Sequence, residues 1–486
     1  MVFSLIFQNF LAIFQFIGSN VGSQNIQSTP LETTNTETVD VAVIGAGSVG
    51  IAVAYSLVKE QKVKRVLLID PRDPMSLTSA QSGENYRNWW PHPVMTAFTD
   101  FSTNLMEKID IESGGRLNMT RGGYALVTRR SHPDDLIKDL YRGYAATPEK
   151  IRLIESVDNT YPPPKRAPWS DAPDGVDVLM NQELIRKHYP AYAQDVATVI
   201  HIRRAGSISA QQLGQYMLEE IRAHGGKVLR GDVKSIISGN GFKLEVATAN
   251  GAQQVHADKI VNAAGPYLKD IGAMLNEEIP VQCVYQQKIA FQDREAAVPR
   301  NLPFTIDLDG QVLTWSDEDR EILESDPVTR KFIEPMPGGI HCRPDGAVDG
   351  NWIKLGWAYN NTTSDPHAED PIDPQFPDTV LRGASRLNPR LATYIGRLPR
   401  GAHHYGGYYT MTEENWPLIG PMKTEGAFIA GALSGYGSMA ACATGSLCAS
   451  WVMGKPVPEY AKSLTSARYA DKALMTELAR LSKGAL

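Results

Sequence analysis

The stretch from Val39 to Gly50 constrains the fold of this chain more than any other. Val39, Val41, Val43 and Ile44 make a short apolar strand that runs into Gly45-Ala46-Gly47-Ser48-Val49-Gly50. After it, Ile51, Ala54, Tyr55 and Val58 fall on one helical face. A second apolar run, Val66 to Ile69, ends at Asp70, and 70 minus 50 places that acid 20 residues beyond the last glycine. Strand, glycine turn, helix, strand and acid in this order predict a dinucleotide-binding βαβ unit. Gly45 allows the tight turn, Gly47 lets the backbone approach a pyrophosphate at the positive helix terminus, and Gly50 lets helix and strand pack closely. With Ala46, Ser48 and Val49 they form the expected cofactor turn, and Asp70 is placed to accept hydrogen bonds from ribose hydroxyls. The motif leaves NAD and FAD both open.

Composition narrows the class. The chain has 486 residues, 42% hydrophobic and 21% charged, which fits an ordinary soluble globular protein and excludes collagen-like and disordered chains. A net charge of -6 argues against nucleic acid as a partner. Cys283, Cys342, Cys442 and Cys448 form neither a CxxC pair nor a dense disulfide framework, so no metal site is expected and they read as small buried apolar residues. The first 31 residues carry no charged side chain and include a Phe-rich run from Val2 to Gly18. A signal-peptide core, an interfacial amphipathic helix giving membrane association, and a poorly ordered tail all fit that run. Secretion or membrane attachment follows from the first two, a cytoplasmic location from the third.

Beyond Asp70 the chain does not continue as a nicotinamide-binding unit would. Pro71-Arg72-Asp73-Pro74 leads into the polar stretch Thr78-Ser79-Ala80-Gln81-Ser82-Gly83, as if to follow a longer cofactor. Ala257 to Gly265 is a buried strand ending in small residues. Ala427-Phe428-Ile429-Ala430-Gly431 is another, followed by Ser434-Gly435-Tyr436-Gly437. Together with Asn262-Ala263-Ala264-Gly265-Pro266 and Tyr409-Thr410-Met411-Thr412 leading to Pro417-Leu418-Ile419-Gly420, these pieces resemble the D-amino-acid-oxidase-like (DAO) family of FAD-dependent oxidoreductases. That family includes glycine oxidase, sarcosine oxidase and dimethylglycine dehydrogenase. The resemblance spans roughly Val39 to Pro458.

It implies an α/β (α+β) fold with a Rossmann-type FAD-binding domain and an interleaved substrate domain on a large mixed or antiparallel sheet. The expected cofactor domain comprises 39–118, 206–275 and 401–460, and the substrate domain 119–205 and 276–400. Residues 1–38 form an N-terminal segment and linker, and 461–486 a C-terminal tail. The resemblance adds Ser82, Gly83, Val233, Ala264, Gly265, Gly431, Ser434, Gly435, Tyr436 and Gly437 to the residues around FAD. Relatives that attach FAD through a cysteine carry it where this chain has Gly407, and those that use a histidine carry it where this chain has Ala80. Non-covalent FAD is therefore expected.

Oxidising an amine needs a neutral nitrogen, a C–H bond held against the flavin and charge stabilisation near the ring, so positioning outweighs a strong acid or base. In Trp352-Ile353-Lys354-Leu355-Gly356-Trp357, alternation places Lys354 on one face with Gly356. The segment resembles a strand of sarcosine oxidase whose lysine promotes reaction of reduced flavin with oxygen. Arg87 lies in a segment that resembles the one bordering the flavin, where an arginine holds the ring or a substrate carboxylate. Arg343, on Ile340-His341-Cys342-Arg343, matches a strand lining the substrate cavity, and a carboxylate clamp and a surface ion pair are equally open for it. After Gly437 the chain reads Ser438-Met439, without the carboxylate-binding lysine of sarcosine oxidase. The reading is an oxidase of amines or amino acids with oxygen as acceptor. A dehydrogenase using a quinone or protein acceptor and a non-catalytic flavin scaffold are the alternatives.

Overall fold

The computed structural model describes residues 36–157, 161–165, 168–346 and 349–481. The uncharged N-terminal run, with its expected signal, amphipathic or tail character, lies outside the described residues. Among those described, no helix is long and apolar enough to cross a membrane.

The first sheet grows from the strand Thr36–Ile44, which pairs in parallel with Val66–Asp70 on one side and with Gly251–Asn262 on the other. Lys227–Arg230 extends the sheet in parallel beyond Val66–Asp70. The long strand Gly251–Asn262 changes outer partner along its length. Its first half pairs antiparallel with Gly241–Thr248, and its end pairs in parallel with Ala427–Gly431. The near-continuous apolar runs seen in the sequence follow from burial on both faces. Val41, Val43, Val66 and Leu68 enter a core with the helices Ser48–Tyr55, Pro93–Glu112, Ala210–Ala223 and Gly437–Val452. Their alternates Ala42, Ile44, Leu67 and Ile69 enter a second core with Phe242, Leu244, Val246 and Ile271. Alternation of side chains across the pleat thus divides one strand between two layers.

The glycine turn is sterically determined. Gly45 has φ +109° and its backbone meets the chain at Ala263, where a Cβ would lie 2.3 Å from the carbonyl oxygen. A Cβ on Gly50 would lie 1.8 Å from the Gly45 carbonyl oxygen, so the helix can start this close to the strand only without a side chain there.

The second sheet has nine strands, in the order His403–Met411, Gln282–Gln292, Trp352–Gly356, Ile340–Asp345, Phe304–Asp307, Tyr124–Thr128, Thr198–Ile202, Val176–Leu179 and Ile151–Ile154. It is mixed: Phe304–Asp307 with Tyr124–Thr128 and Ile151–Ile154 with Val176–Leu179 are parallel, the others antiparallel. The short ladder Asn85–Arg87 with Ala205–Ser207 ties the two crossings of the chain between the sheets.

Two boundaries differ from the sequence expectation. The strand His403–Met411, placed with the cofactor domain by the boundary at 401, pairs along its whole length with Gln282–Gln292 in the nine-stranded sheet. Its Gly406-Gly407 pair and the surrounding aromatic residues gave no sign of which sheet it would join. The expected C-terminal tail is packed as far as residue 481: Leu464 and Leu478 enter the main core, and Arg468 is 2% exposed.

Candidate active site

The carboxyl ends of the parallel strands open on a cleft of about 800 Å³, the position at which open α/β sheets bind ligands. Gly45, Ala46, Gly47, Ser48 and Val49 form its floor, with Asp70 at one side. Asp70 Oδ2 accepts the Ala46 N–H at 2.7 Å and Oδ1 the Arg72 N–H at 2.8 Å. A carboxylate has lone pairs to spare after two such bonds, which suits it to ribose hydroxyls. Ser79 Oγ accepts the Ser48 N–H at 2.9 Å, satisfying one amide at the start of the helix. Ala264, Gly265, Gly431, Ser434 and Gly437 complete the wall.

A second cleft of about 1530 Å³ continues the first, sharing Gly45, Asp70, Arg72, Ala264 and Tyr267 with it and reaching Val233. Arg72 lies over the Tyr267 ring at 5.0 Å and donates to its hydroxyl at 2.8 Å, bridging the groove where the two clefts meet. The groove fits FAD. A phosphate-binding turn lies at its middle, an acid for the ribose stands beside the turn, and it extends in both directions. Sequence reasoning passed over Arg72, Tyr267 and Thr410, which only the meeting of distant segments brings to the groove.

The loop after Ala427–Gly431 is held in a costly conformation. Ala432 and Ser434 have φ +58° and +47°, rarely populated by residues with a side chain. The Ser434 N–H donates to the Thr410 carbonyl at 2.9 Å, anchoring the loop to the nine-stranded sheet. Gly437 opens the helix Gly437–Val452 at the cleft wall, so the positive helix end lies at the cleft.

Gly50 does the close helix–strand packing expected of it. Three residues expected at the cofactor are placed otherwise. The space a Cβ would fill on Gly435 is taken by the Tyr409 ring, 2.5 Å away. Tyr436 is 1% exposed, packs edge-on against Trp90 at 4.8 Å and donates to the Asn415 carbonyl, so its ring belongs to the core. Gly83 gives its carbonyl to Arg343 Nε at 3.1 Å. Neighbouring Ser82 hydrogen-bonds Ser438, in the first turn of the helix Gly437–Val452, at 2.5 Å.

The cations Arg87, Arg343, Lys354 and Lys288 divide into three kinds. Arg87 is fully buried, with its guanidinium 4.7 Å from the Trp90 ring and 4.9 Å from the Tyr124 ring, and burial lowers its proton affinity. It is enclosed in the core, where the sequence reading set it holding the flavin ring or a substrate carboxylate. Arg343 and Lys354 face each other across neighbouring strands and are both ion-paired. Arg343 meets Asp345 at 2.8 Å, and Lys354 meets Asp345 at 3.3 Å and Glu84 at 3.2 Å. Burial acts to raise the Asp345 carboxyl, but Arg343 and Lys354 hold it below the ordinary value. The carboxylate clamp left open for Arg343 is thus filled from within the chain. Glu84, itself at φ +56°, joins this network to the cofactor segment. With Met119 and Trp169, Glu84, Arg343 and Asp345 also line an open cleft that shares no lining residue with the dinucleotide groove.

The third kind is Lys288, absent from the sequence-based candidates. Register places it opposite Gly356, which is opposite His341, so the three share one face of the sheet. Burial, Lys288 and Arg343 lower the His341 imidazole to about 4, leaving it neutral. Its Nδ1 lies 3.2 Å from the Gly339 carbonyl, to which it donates when that nitrogen carries the proton.

The family model described as DAO, FAD dependent oxidoreductase, matches residues 40–451. No curated protein sequence matches the chain. Solved structures share its fold. L-proline dehydrogenase from P.horikoshii is 19% identical with a TM-score of 0.66, over 90% of this chain and 99% of that one. Glycine oxidase from Geobacillus kaustophilus is 17% identical with a TM-score of 0.63, over 88% and 98%. Iminodiacetate oxidase from Chelativorans sp. BNC1 is 18% identical with a TM-score of 0.61, over 86% and 97%.

Proposed function

The chain belongs to the DAO family of FAD-dependent oxidoreductases, and from that premise we propose that it oxidises the C–N bond of an amino acid or secondary amine, with oxygen as electron acceptor. FAD is its cofactor, supplying the two-electron acceptor at the site when bound.

The observation that carries the reading is the groove along the glycine turn, Asp70 and the loop from Gly431, which suits FAD, with the carboxylates Glu84 and Asp345 beside the cofactor segment engaged by Arg343 and Lys354. Removing hydride from an amine requires a neutral nitrogen held in place. The neighbours named for proline, glycine and iminodiacetate oxidation support the same reading. A glycerophosphate oxidase of similar fold, at 16% identity and a TM-score of 0.64, marks the C–O alternative.

This chain's residues supply binding and orientation. With FAD bound, Asp70 and the turn Gly45 to Val49 would hold its nucleotide, and Gly431, Ser434 and the start of the helix Gly437–Val452 would line the rest of the groove. Binding is non-covalent in this proposal: Gly407 has no side chain to attach, and a Cβ there would lie 3.3 Å from Gln81 Cβ.

Anaerobic mixing of the holoenzyme with a panel of amines, amino acids and alcohols tests the reading. Loss of the oxidised-flavin spectrum with a C–N substrate and its rapid return on admitting air are expected. Bleaching by alcohols alone overturns the substrate class, and reoxidation only by a quinone overturns the acceptor.

A further inference from the structure

One wall of the second cleft comes from the far side of the molecule. After the strand Trp352–Gly356 the chain leaves the nine-stranded sheet, and Pro366, His367, Ala368 and Asp370 line the cleft together with Asp70, Val233 and Asp270 of the cofactor side. The crossing is firmly held at its base. Thr363 bridges Val284, the Ser364 N–H donates to the Cys283 carbonyl at 2.8 Å, and the Asp373 N–H donates to Gln287 Oε1 at 2.9 Å. The Asp370 carboxylate accepts the hydroxyls of Tyr408 at 2.9 Å and Tyr285 at 3.3 Å, from side chains 3% and 2% exposed. The tip is held differently. Asp365 closes a turn there, its Oδ1 accepting the His367 N–H at 2.9 Å and its carbonyl the Ala368 N–H at 3.1 Å. The turn sets His367 Nε2 2.9 Å from Asp270 Oδ2, to which it donates, and the imidazole 5.1 Å from the Tyr267 ring. The Pro366 carbonyl accepts the Tyr267 hydroxyl at 3.0 Å. His367 and Asp270 are 60% and 41% exposed, and a pair so open to water is weak.

We propose that residues 365–370 are a strap across the adenosine half of the FAD groove, latched by His367 on Asp270 and Tyr267, and that the cofactor enters and leaves when the strap opens. The proposal rests on the non-covalent binding proposed above and goes beyond it by naming what keeps the cofactor in. The cleft that the strap walls holds Asp70, placed for a ribose, and Val233, whereas Gly431, Ser434 and Gly437 line only the first cleft. The strap therefore belongs to the adenosine end and not to the end where substrate is oxidised. Opening breaks the exposed contact at Asp270 and the hydrogen bond to Pro366, while the buried bonds of Ser364 and Asp370 stay as the two fixed ends. A segment anchored in the core and weakly closed at its tip opens locally at small cost, without unfolding either sheet. A groove walled on both sides also removes more of a ligand's surface from water than an open one, which favours retention without a covalent bond.

The test measures FAD release from the loaded full-length protein on dilution, and FAD association with the apoprotein, both by the change in flavin fluorescence. Wild type is compared with His367→Ala, Asp270→Asn, the double variant and Asp370→Ala. Each latch variant should speed release roughly 2- to 5-fold, as loss of an exposed pair does. Association should speed up with it, because a strap that closes the groove slows passage in both directions. The double variant should do no more than the stronger single one, since the two residues make one contact. Asp370→Ala frees the base and should speed both rates about tenfold or more. Latch variants with wild-type rates overturn the proposal, whatever Asp370→Ala does. Faster release with unchanged association also overturns it, being the mark of lost cofactor contacts without a gate. Flavin that stays with the chain after acid denaturation overturns the non-covalent reading and the strap with it, whereas rates unmoved by the variants overturn the strap alone. Should Asp370→Ala not fold, the two latch variants, altered at the surface, decide.

Discussion

Lys354 Nζ lies 3.2 Å from Glu84 Oε2 and 3.3 Å from Asp345 Oδ2, so the lysine that sequence reasoning set beside the flavin holds together a strand end and the cofactor segment. Glu84 is in the left-handed region, and its other oxygen accepts the Ala210 N–H at the start of a helix. The pair therefore helps to keep an unfavourable backbone conformation in place.

Lys354→Met should destabilise the protein by about 1 kcal/mol, because both groups are mostly but not wholly buried. Glu84→Gln in the same background should then cost less than it does alone, giving a coupling energy in a double-mutant cycle. Strict additivity of the two changes in chemical denaturation would show that the pair does not act as a unit.

Gly50 and Gly47 separate folding from cofactor binding. Gly50→Ala drives a methyl into the Gly45 carbonyl and should cost about 3 kcal/mol of stability with or without FAD. A Cβ on Gly47 would lie 3.1 Å from Ser79 Oγ, a side chain that can shift, and would intrude on the groove floor. Gly47→Ala should leave the apoprotein's unfolding midpoint nearly unchanged and weaken FAD by about tenfold or more. Equal loss of apoprotein stability in both variants would contradict this division.

The C-terminal segment is predicted to be indispensable through one buried ion pair. Arg468 Nε donates to Glu414 Oε1 at 2.6 Å, with the two side chains 0% and 4% exposed. Arg468→Ala strands a buried carboxylate and should cost about 3–5 kcal/mol, whereas replacing both partners by apolar residues of similar volume should cost much less. Comparable melting temperatures for the single and double variants would refute the pairing argument.

His341 makes stability depend on pH. Its folded value of about 4 lies below the ordinary 6.5. As pH falls through 6.5 the unfolded chain binds a proton that the fold refuses until about 4. The stability associated with the neutral imidazole is therefore fully present above 6.5 and is lost between 6.5 and 4. From about pH 7 to about pH 5 the loss is on the order of 2 kcal/mol. His341→Gln should flatten that part of the profile in denaturant titrations, and identical slopes for the two proteins would count against it.

The sequence by itself determined the βαβ unit, since Gly45, Gly50 and Asp70 lie close along the chain and each is required by local sterics or local hydrogen bonding. It also carried the family resemblance, because Asn262 to Pro266 and Gly431 to Gly437 are short motifs whose order survives without coordinates. Only the tertiary structure decided what each cation does. Lys354, Arg343, Arg87 and Lys288 look alike as residues on alternating strands or short aromatic segments. Their roles depend on which carboxylate or ring lies across a strand pair: Asp345 and Glu84 neutralise the first two, and Trp90 and Tyr124 enclose the third. Register between strands 68 residues apart, Lys288 against Gly356, and 15 apart, Gly356 against His341, put the fourth on one sheet face with His341. Such register is set by the packing of whole sheets, which no local pattern of residues encodes.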